Sequence, residues 1–222
     1  MPKRLISYLS GRIALSDEKV MLRVQREGDE RAFALLLRRW EEKIQRLCFR
    51  MTGDEHRGEE LAQEVFTRLY AHRHGYRNEG KLSSYLWRIA LNVCYDEQRR
   101  IRNEREISAG SYEEDFAAGS ETDSASDTPE TAAGKKEQAQ LVRNSLLRLP
   151  EMHRVVLILR HYEELKFREI AEVLGIAEGT VKSRMAEALN RLGRLLKPAL
   201  TDTTMAGKSA AQMNKGKLEV IL

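Results

Sequence analysis

Two cysteines, four prolines and a 6% share of aromatic residues in 222 residues set the first limits on this chain. Two thiols cannot staple a fold. Cys48 and Cys94 stand far apart in sequence, outside any CxxC or His-Cys cluster, and read as buried structural thiols rather than metal or redox ligands. His72 and His74 read as loop residues, again not ligands. Few aromatics and prolines beside 32% charged residues disfavour a sheet protein and favour helices with wide solvated faces. Long apolar runs are missing too. Arg12 interrupts the only apolar run near the N-terminus, so no signal peptide is evident, and no stretch reaches the length of a membrane span. The expectation is a cytoplasmic chain with no membrane insertion. No nucleophile motif, phosphate-binding glycine loop or metal cluster is present, which leaves an enzymatic reading without support and calls for no cofactor.

What is present is charge, unevenly placed. The net charge of +4 hides two Arg- and Lys-rich blocks, over residues 23–105 and 135–197, on either side of an acidic spacer. Basic blocks suit a polyanionic partner. The spacer, SYEEDFAAGSETDSASDTPETAAG within residues 103–134, has too few large apolar groups to offset its ordering entropy and is predicted to be a flexible linker. The fold class expected is therefore all-α, with two small helical domains. The first spans residues 17–102, after an extension over 1–16. The second spans 135–198, and a tail with little periodicity follows over 199–222.

Apolar residues at helical spacing, from Val20 and Val24 through Phe33, Leu36, Trp40, Ile44 and Leu47, predict two helices broken near Gly28-Asp29. After a turn at Thr52-Gly53-Asp54, the segment GEELAQEVFTRLY carries an apolar stripe of Leu61, Val65 and Leu69 with Glu60, Gln63, Glu64 and Thr67 facing away. The helix YLWRIALNVCYDEQRR, Tyr85 to Arg100, puts Leu86, Ile89, Ala90 and Val93 on one side and Tyr85, Arg88, Asn92 and Arg99 on another. That second side is either a solvated surface or a platform for nucleic-acid bases, which stack on aromatic rings and guanidinium planes.

In the second block Leu141, Leu146, Leu147 and Leu149 precede Pro150, which separates one helix from the next, VVLILRHY. FREIAEVLGIAEGTVKSRMAEALNRLGRLL then has the layout of a helix-turn-helix. Ile170, Ala171 and Leu174 supply the first helix's buried side, Gly175 the turn, and Val181, Met185, Ala188 and Leu192 the second helix's buried side. Glu178, Thr180, Lys182, Ser183, Arg184 and Arg191 are left exposed near the start of that helix, the part that enters the major groove in such readers.

GEELAQEVFTRLY, KLSSYLWRIALNVCYDEQRR, LLRLPEMHRVVLILRHYEELKFREIAEVLG and GTVKSRM, in that order around a variable linker, resemble the extracytoplasmic-function sigma factors of bacterial RNA polymerase. The resemblance covers residues 17–102 and 136–197. It implies that Glu59, Glu60, Gln63 and Glu64 grip the clamp helices of the largest polymerase subunit, with the flap of the second-largest subunit as a further contact. It implies that the loop and helix carrying Tyr76, Arg77, Asn78, Lys81, Ser84, Tyr85, Trp87, Arg88 and Asn92 bind and melt the minus-ten element, with Trp87 placed between the two faces of its helix. Glu178, Thr180, Lys182, Ser183, Arg184 and Arg191 would read the minus-thirty-five element of promoter DNA. An anti-sigma factor that clamps the free chain is a further partner that the family suggests.

The match has departures. Leu82 stands where an aromatic is frequent, Tyr85 where Trp is frequent, and Leu91 where a polar or basic residue is usual, while Glu187 and Leu189 replace two arginines and Ala177 offers no N-cap hydroxyl. These bear on the promoter sequence, not on the fold. GTVKSRM also suits a conventional helix-turn-helix regulator that does not bind core polymerase. That alternative needs a receiver or ligand domain in front, where this chain has an all-helical block.

Overall fold

The computed structural model describes residues 15–77, 81–108 and 139–204, and all regular structure among them is helical. The N-terminal extension over 1–14, Asn78, most of the expected linker and tail residues 205–222 lie outside the described residues.

The first domain is built from α1 (Asp17–Glu27), α2 (Glu30–Thr52), α3 (Glu55–Ala71) and α4 (Leu82–Ser108), with a 3-10 turn at Arg73–Gly75. The break at Gly28-Asp29 is as expected. Gly28 ends α1 in the left-handed region and Asp29 starts α2, its carboxylate accepting the amides of Arg31 and Ala32 at 3.0 Å. Asp54 does the same for α3 through the amide of Arg57, at 3.0 Å. Leu36, Ile44, Leu47 and Met51 of α2 and Val65 and Leu69 of α3 are fully buried, each such side chain contributing about 1.5–3 kcal/mol on leaving water. The α2–α3 crossing is very close: a Cβ on Gly58 would stand 2.9 Å from the backbone nitrogen of Phe49. Cys48 and Cys94 sit in this core with their sulfurs 3.8 Å apart, reduced and buried, and the hydrogen bond to Cys48, followed by burial, holds the Cys94 thiol well above the ordinary range.

The helix expected over residues 85–100 is longer at both ends. It starts at Leu82, where its first amide is met by the Glu18 carboxylate of α1 at 3.3 Å. It runs to Ser108, past the expected domain boundary at 102, with Arg100 paired to Glu104 one turn on at 2.9 Å. A carboxylate borrowed from α1 and a polar pairing on a solvated turn leave no hydrophobic period to read.

The second domain comprises residues 139–147 (α5), α6 (Glu151–Leu157), α7 (Phe167–Leu174) and α8 (Glu178–Thr204). Pro150 falls between α5 and α6, as expected, and stands at the N-cap position of the latter. The segment VVLILRHY is not one regular helix: α6 passes into a π-helical turn, Ile158–Tyr162, closed by the Glu163 amide on the Ile158 carbonyl at 3.3 Å. Gly175 takes φ +65°, the left-handed conformation that lets α7 turn sharply into α8. Val181, Met185, Ala188 and Leu192 are buried as expected. On α7 the buried pair is Ile170 and Val173, while Ala171 and Leu174, expected on the buried side, are half-buried. The helix α8 continues through Pro198 to Thr204, so the first residues of the expected tail are helical.

The two domains touch. Arg154 donates to the Met51 carbonyl at 2.7 Å, Arg50 stacks 4.0 Å from the ring centroid of Tyr162, and Leu147 occupies the space that a side chain on Gly53 would need. On the other side of this contact α7 lies against α4.

Candidate nucleic-acid and polymerase interface

The loop that precedes α4 is held by α1. Gln25 Nε2 donates to the carbonyls of His74 at 3.1 Å and Tyr76 at 2.7 Å, and Glu18 holds the first amide of α4. Sequence reasoning did not find Gln25 or Glu18, because contacts 51 and 64 residues apart leave no local pattern. They fix where the loop meets the helix.

The expected minus-ten residues divide into three groups. Arg77, Lys81, Arg88 and Asn92 are exposed, and they form a basic and amide-bearing surface along the start of α4. Tyr85 and Ser84 are half-buried, Tyr85 with its ring 5.3 Å from that of Tyr76. Burial pushes the hydroxyls of both tyrosines up. Tyr76 and Trp87 are not on the surface. Tyr76 is 4% exposed, packed beneath Tyr85, and Trp87 is 3% exposed, with its ring edge-on to Trp40 at 5.5 Å. Expected on the contact surface, both are core side chains in this structure. The reason is register, since Trp87 lies one step from Leu86 and faces α2, where the Trp40 indole is already held by its Nε1–H donating to Asp17 at 2.8 Å.

Two of the exposed cations are engaged within the chain. Lys81 Nζ lies 2.5 Å from the Glu169 carboxylate of α7, a hydrogen bond that raises the lysine above its ordinary range and lowers Glu169. Arg88 Nη2 donates to the backbone carbonyl of Glu172 at 2.9 Å.

On α3, Glu59, Glu60, Gln63 and Glu64 are all exposed, a ridge between two grooves. One groove, about 460 Å³, is mainly apolar and runs between α2 and α3 past Phe33, Leu37, Gln63, Phe66 and Tyr70. The other, about 360 Å³, is lined mostly by charged residues and runs between α3 and α4 past Arg57, Glu60, Glu64, Arg68 and Glu97. The acidic ridge is partly neutralised in place: Arg57 pairs with Glu60, and Arg68 pairs with Glu64 at 2.7 Å and Asp96 at 2.9 Å. Its negative charge is therefore weaker than the sequence suggests.

At the start of α8, Glu178, Thr180, Lys182 and Ser183 are exposed and Arg184 is half-buried. Lys182 pairs with Glu178 at 2.7 Å and the exposed Arg191 with Glu187 at 2.7 Å, both one turn apart on the same helix. Such exposed pairs within one helix are weak and give way readily to a phosphate. Among the described residues no group of His, Cys, Asp or Glu could hold a metal, and no helix is long and apolar enough to cross a membrane.

Comparison with known proteins accounts for both units. Sigma-70 region 2 matches residues 36–104 and Sigma-70 region 4 matches residues 139–192. The chain is 32% identical over 180 residues to the ECF RNA polymerase sigma factor SigW of Bacillus subtilis, covering 81% of this chain and 96% of that protein. It is 31% identical to the RNA polymerase sigma-H factor of Pseudomonas aeruginosa, covering 84% of this chain and 96% of that one. Among solved structures, it resembles the sigma factor RpoE in complex with the anti-sigma factor NepR from Bartonella quintana, with a TM-score of 0.59 at 24% identity over 74% of this chain and 96% of that one. It also resembles CnrH in complex with the cytosolic domain of CnrY, with a TM-score of 0.60 at 19% identity over 82% of this chain and 97% of that one. With region 2 on the helices that carry the basic loop and region 4 on the helix-turn-helix, this chain belongs to the extracytoplasmic-function sigma factors.

Proposed function

We propose that this chain binds core RNA polymerase, brings it to promoters through two separate DNA surfaces, and captures the unpaired minus-ten strand on the first half of α4. The observation that carries this reading is the presence of both sigma-70 regions on one chain, in the family's order and over nearly the full length of its relatives. A conventional regulator that does not bind polymerase would have no use for the first. As a member of a family of non-enzymatic initiation factors the chain is assigned no catalytic residue, and its place of work is the cytoplasm.

The division of labour follows the surfaces. The ridge of Glu59, Glu60, Gln63 and Glu64 with the apolar groove beside it suits the clamp helices of the largest subunit. Arg77, Lys81, Arg88 and Asn92, with Asn78 of the same loop, supply phosphate and base contacts, and Tyr85 offers the aromatic face. Separating base pairs costs stacking energy, which capture of flipped bases offsets. Thr180, Lys182, Ser183 and Arg184 read the minus-thirty-five element, with Glu178 and Arg191 at the edges of that contact. An anti-sigma factor, such as those that accompany the similar structures, is the expected inhibitor.

Run-off transcription with purified core polymerase tests the reading. Alanine at Tyr85 and Asn92 slows transcription roughly tenfold from a fully paired promoter, since stacking contributes about 1–3 kcal/mol per base, and a template with a preformed minus-ten bubble recovers most of the loss. Equal rates for parent and variant on both templates, with circular dichroism showing both folded, would remove this face from the melting step.

A further inference from the structure

We infer that the apolar groove between α2 and α3 seats this chain's own N-terminal segment, residues 1–14, which in that position competes with the largest polymerase subunit. The competition rests on the assignment of the neighbouring acidic ridge to polymerase, whereas the docking stands apart from it. Phe33, Leu37, Phe66 and Tyr70 give the groove its apolar lining, with the rings of Phe33 and Tyr70 4.9 Å apart. An apolar cavity of about 150 Å³ holds one benzene, so the groove's 460 Å³ has room for roughly three side chains of that size. Glu41 and Gln63 stand exposed at its edges, and Glu59, Glu60 and Glu64 continue the acidic character along the ridge.

The occupant has to bring apolar side chains and positive charge together. Residues 1–16, MPKRLISYLSGRIALS, carry Lys3, Arg4 and Arg12 and no acidic side chain. Leu5, Leu9 and Ile13 recur every four residues, a spacing with which a segment laid in a groove presents its anchors. The tail fits less well, since Glu219 stands among its apolar residues and these are bunched over Leu218–Leu222.

The point of attachment favours the same occupant. Leu15 is fastened to α2, where its carbonyl accepts from Arg39 Nη1 at 2.8 Å, and Asp17 holds Arg39 at 2.6 Å and the Trp40 indole at 2.8 Å. Arg39 stands midway in sequence between Leu37 and Glu41 of the groove. The segment is therefore joined at the groove's own level but on the other side of α2, because two residues turn a helix by about 200°. The way round passes Ala34, Arg38 and Glu42, all exposed, and half the girth of a helix about 10–12 Å across is roughly 17 Å. Residues 1–14 can reach roughly 46 Å at about 3.3 Å each, so the greater part is left to lie along the groove. Seated there, the segment covers the flank of α3 that carries Gln63 and Phe66. Core polymerase then engages only chains whose groove is empty, and its apparent affinity falls by that fraction.

Photo-cross-linking of the free full-length chain tests the docking. Benzoyl-phenylalanine placed at Thr67, an exposed groove residue outside the acidic ridge, should link on irradiation to residues 1–14, as read by mass spectrometry. Links to residues 205–222, links between two chains, or no link at all overturn the assignment, the first two by naming the tail or a second copy as occupant. A full-length chain with Leu5→Ser, Leu9→Ser and Ile13→Ser, shown by circular dichroism to be folded, should lose the link. It should bind core polymerase about threefold to tenfold more tightly than the parent, the change expected when about 70–90% of free chains have the groove filled. A link that survives these substitutions overturns the apolar seating. Glu59→Lys is measured beside it: where it weakens core binding, equal affinities of parent and triple variant overturn the competition. If Glu59→Lys binds core polymerase as the parent does, the polymerase assignment of the ridge is at fault and the competition falls with it, while the link alone decides the docking.

Discussion

Replacing Glu97 by Gln removes one charge from the clasp that joins α3 to α4, and its effect can be worked out from the contacts. Glu97 is only 5% exposed. Its carboxylate accepts two bonds from Arg57, at 2.7 and 2.6 Å, and two from Arg100, both at 2.9 Å. Hydrogen bonds from Arg100 and then Arg57 hold its pKa at about 2, below an ordinary 4.5. A carboxyl with a depressed folded pKa contributes its full stabilisation above the unfolded-state value and loses it as pH falls through the folded one. The window here runs from about 4.5 down to about 2. Taken at face value, that displacement corresponds to about 3 kcal/mol at ~1.4 kcal/mol per pH unit. Arg57 and Arg100 are 32% and 54% exposed, so solvent screens the pairs and about 1–2 kcal/mol is the reasoned figure for Glu97→Gln at neutral pH. The carboxamide keeps the shape but leaves two guanidinium groups facing each other. Urea unfolding followed at a series of pH values measures the difference between parent and variant. It should be about 1–2 kcal/mol at pH 7 and shrink steadily below about pH 4.5. A difference that stays constant down to pH 3, or no difference at pH 7, would refute the clasp as a charge-dependent element.

Gly58→Ala should destabilise the first domain by about 1 kcal/mol or more, because the clash with the Phe49 backbone outweighs a helix-propensity gain of about 1 kcal/mol; a urea melt showing equal or greater stability would mean that α2 and α3 separate at no cost. Trp87→Ala should lose about 3–5 kcal/mol of stability as a core truncation, and a folded variant with a defect confined to promoter melting would return Trp87 to the DNA surface. Lys182→Ala and Arg184→Ala should weaken promoter binding while core-polymerase affinity holds, by about 1–3 kcal/mol for a lost base contact or with a salt slope smaller by about one for a lost phosphate contact. Unchanged promoter affinity in both, measured by fluorescence anisotropy over a salt series, would place the recognition face elsewhere.

The sequence alone determined what repeats locally. Helical spacing of Leu36, Trp40, Ile44 and Leu47, the Gly28-Asp29 and Gly53-Asp54 breaks, the Pro150 boundary and the Gly175 turn are short-range signals, and the helices and their order follow from them. The exposed cations of α4 and α8 were legible for the same reason, since a face is a matter of residues three and four apart. The tertiary structure decided what depends on a neighbour. Trp87 and Tyr76 became core because Trp40 and Tyr85 lie against them, and periodicity cannot settle the side of a helix on which a boundary residue falls. The π turn at Ile158–Tyr162 has no composition that marks it. Glu18 and Gln25 hold the loop before α4, and Glu169 meets Lys81 across 88 residues, through contacts that exist only when two distant segments are packed together. Charge and period are properties of a segment, whereas pairing is a property of the folded chain.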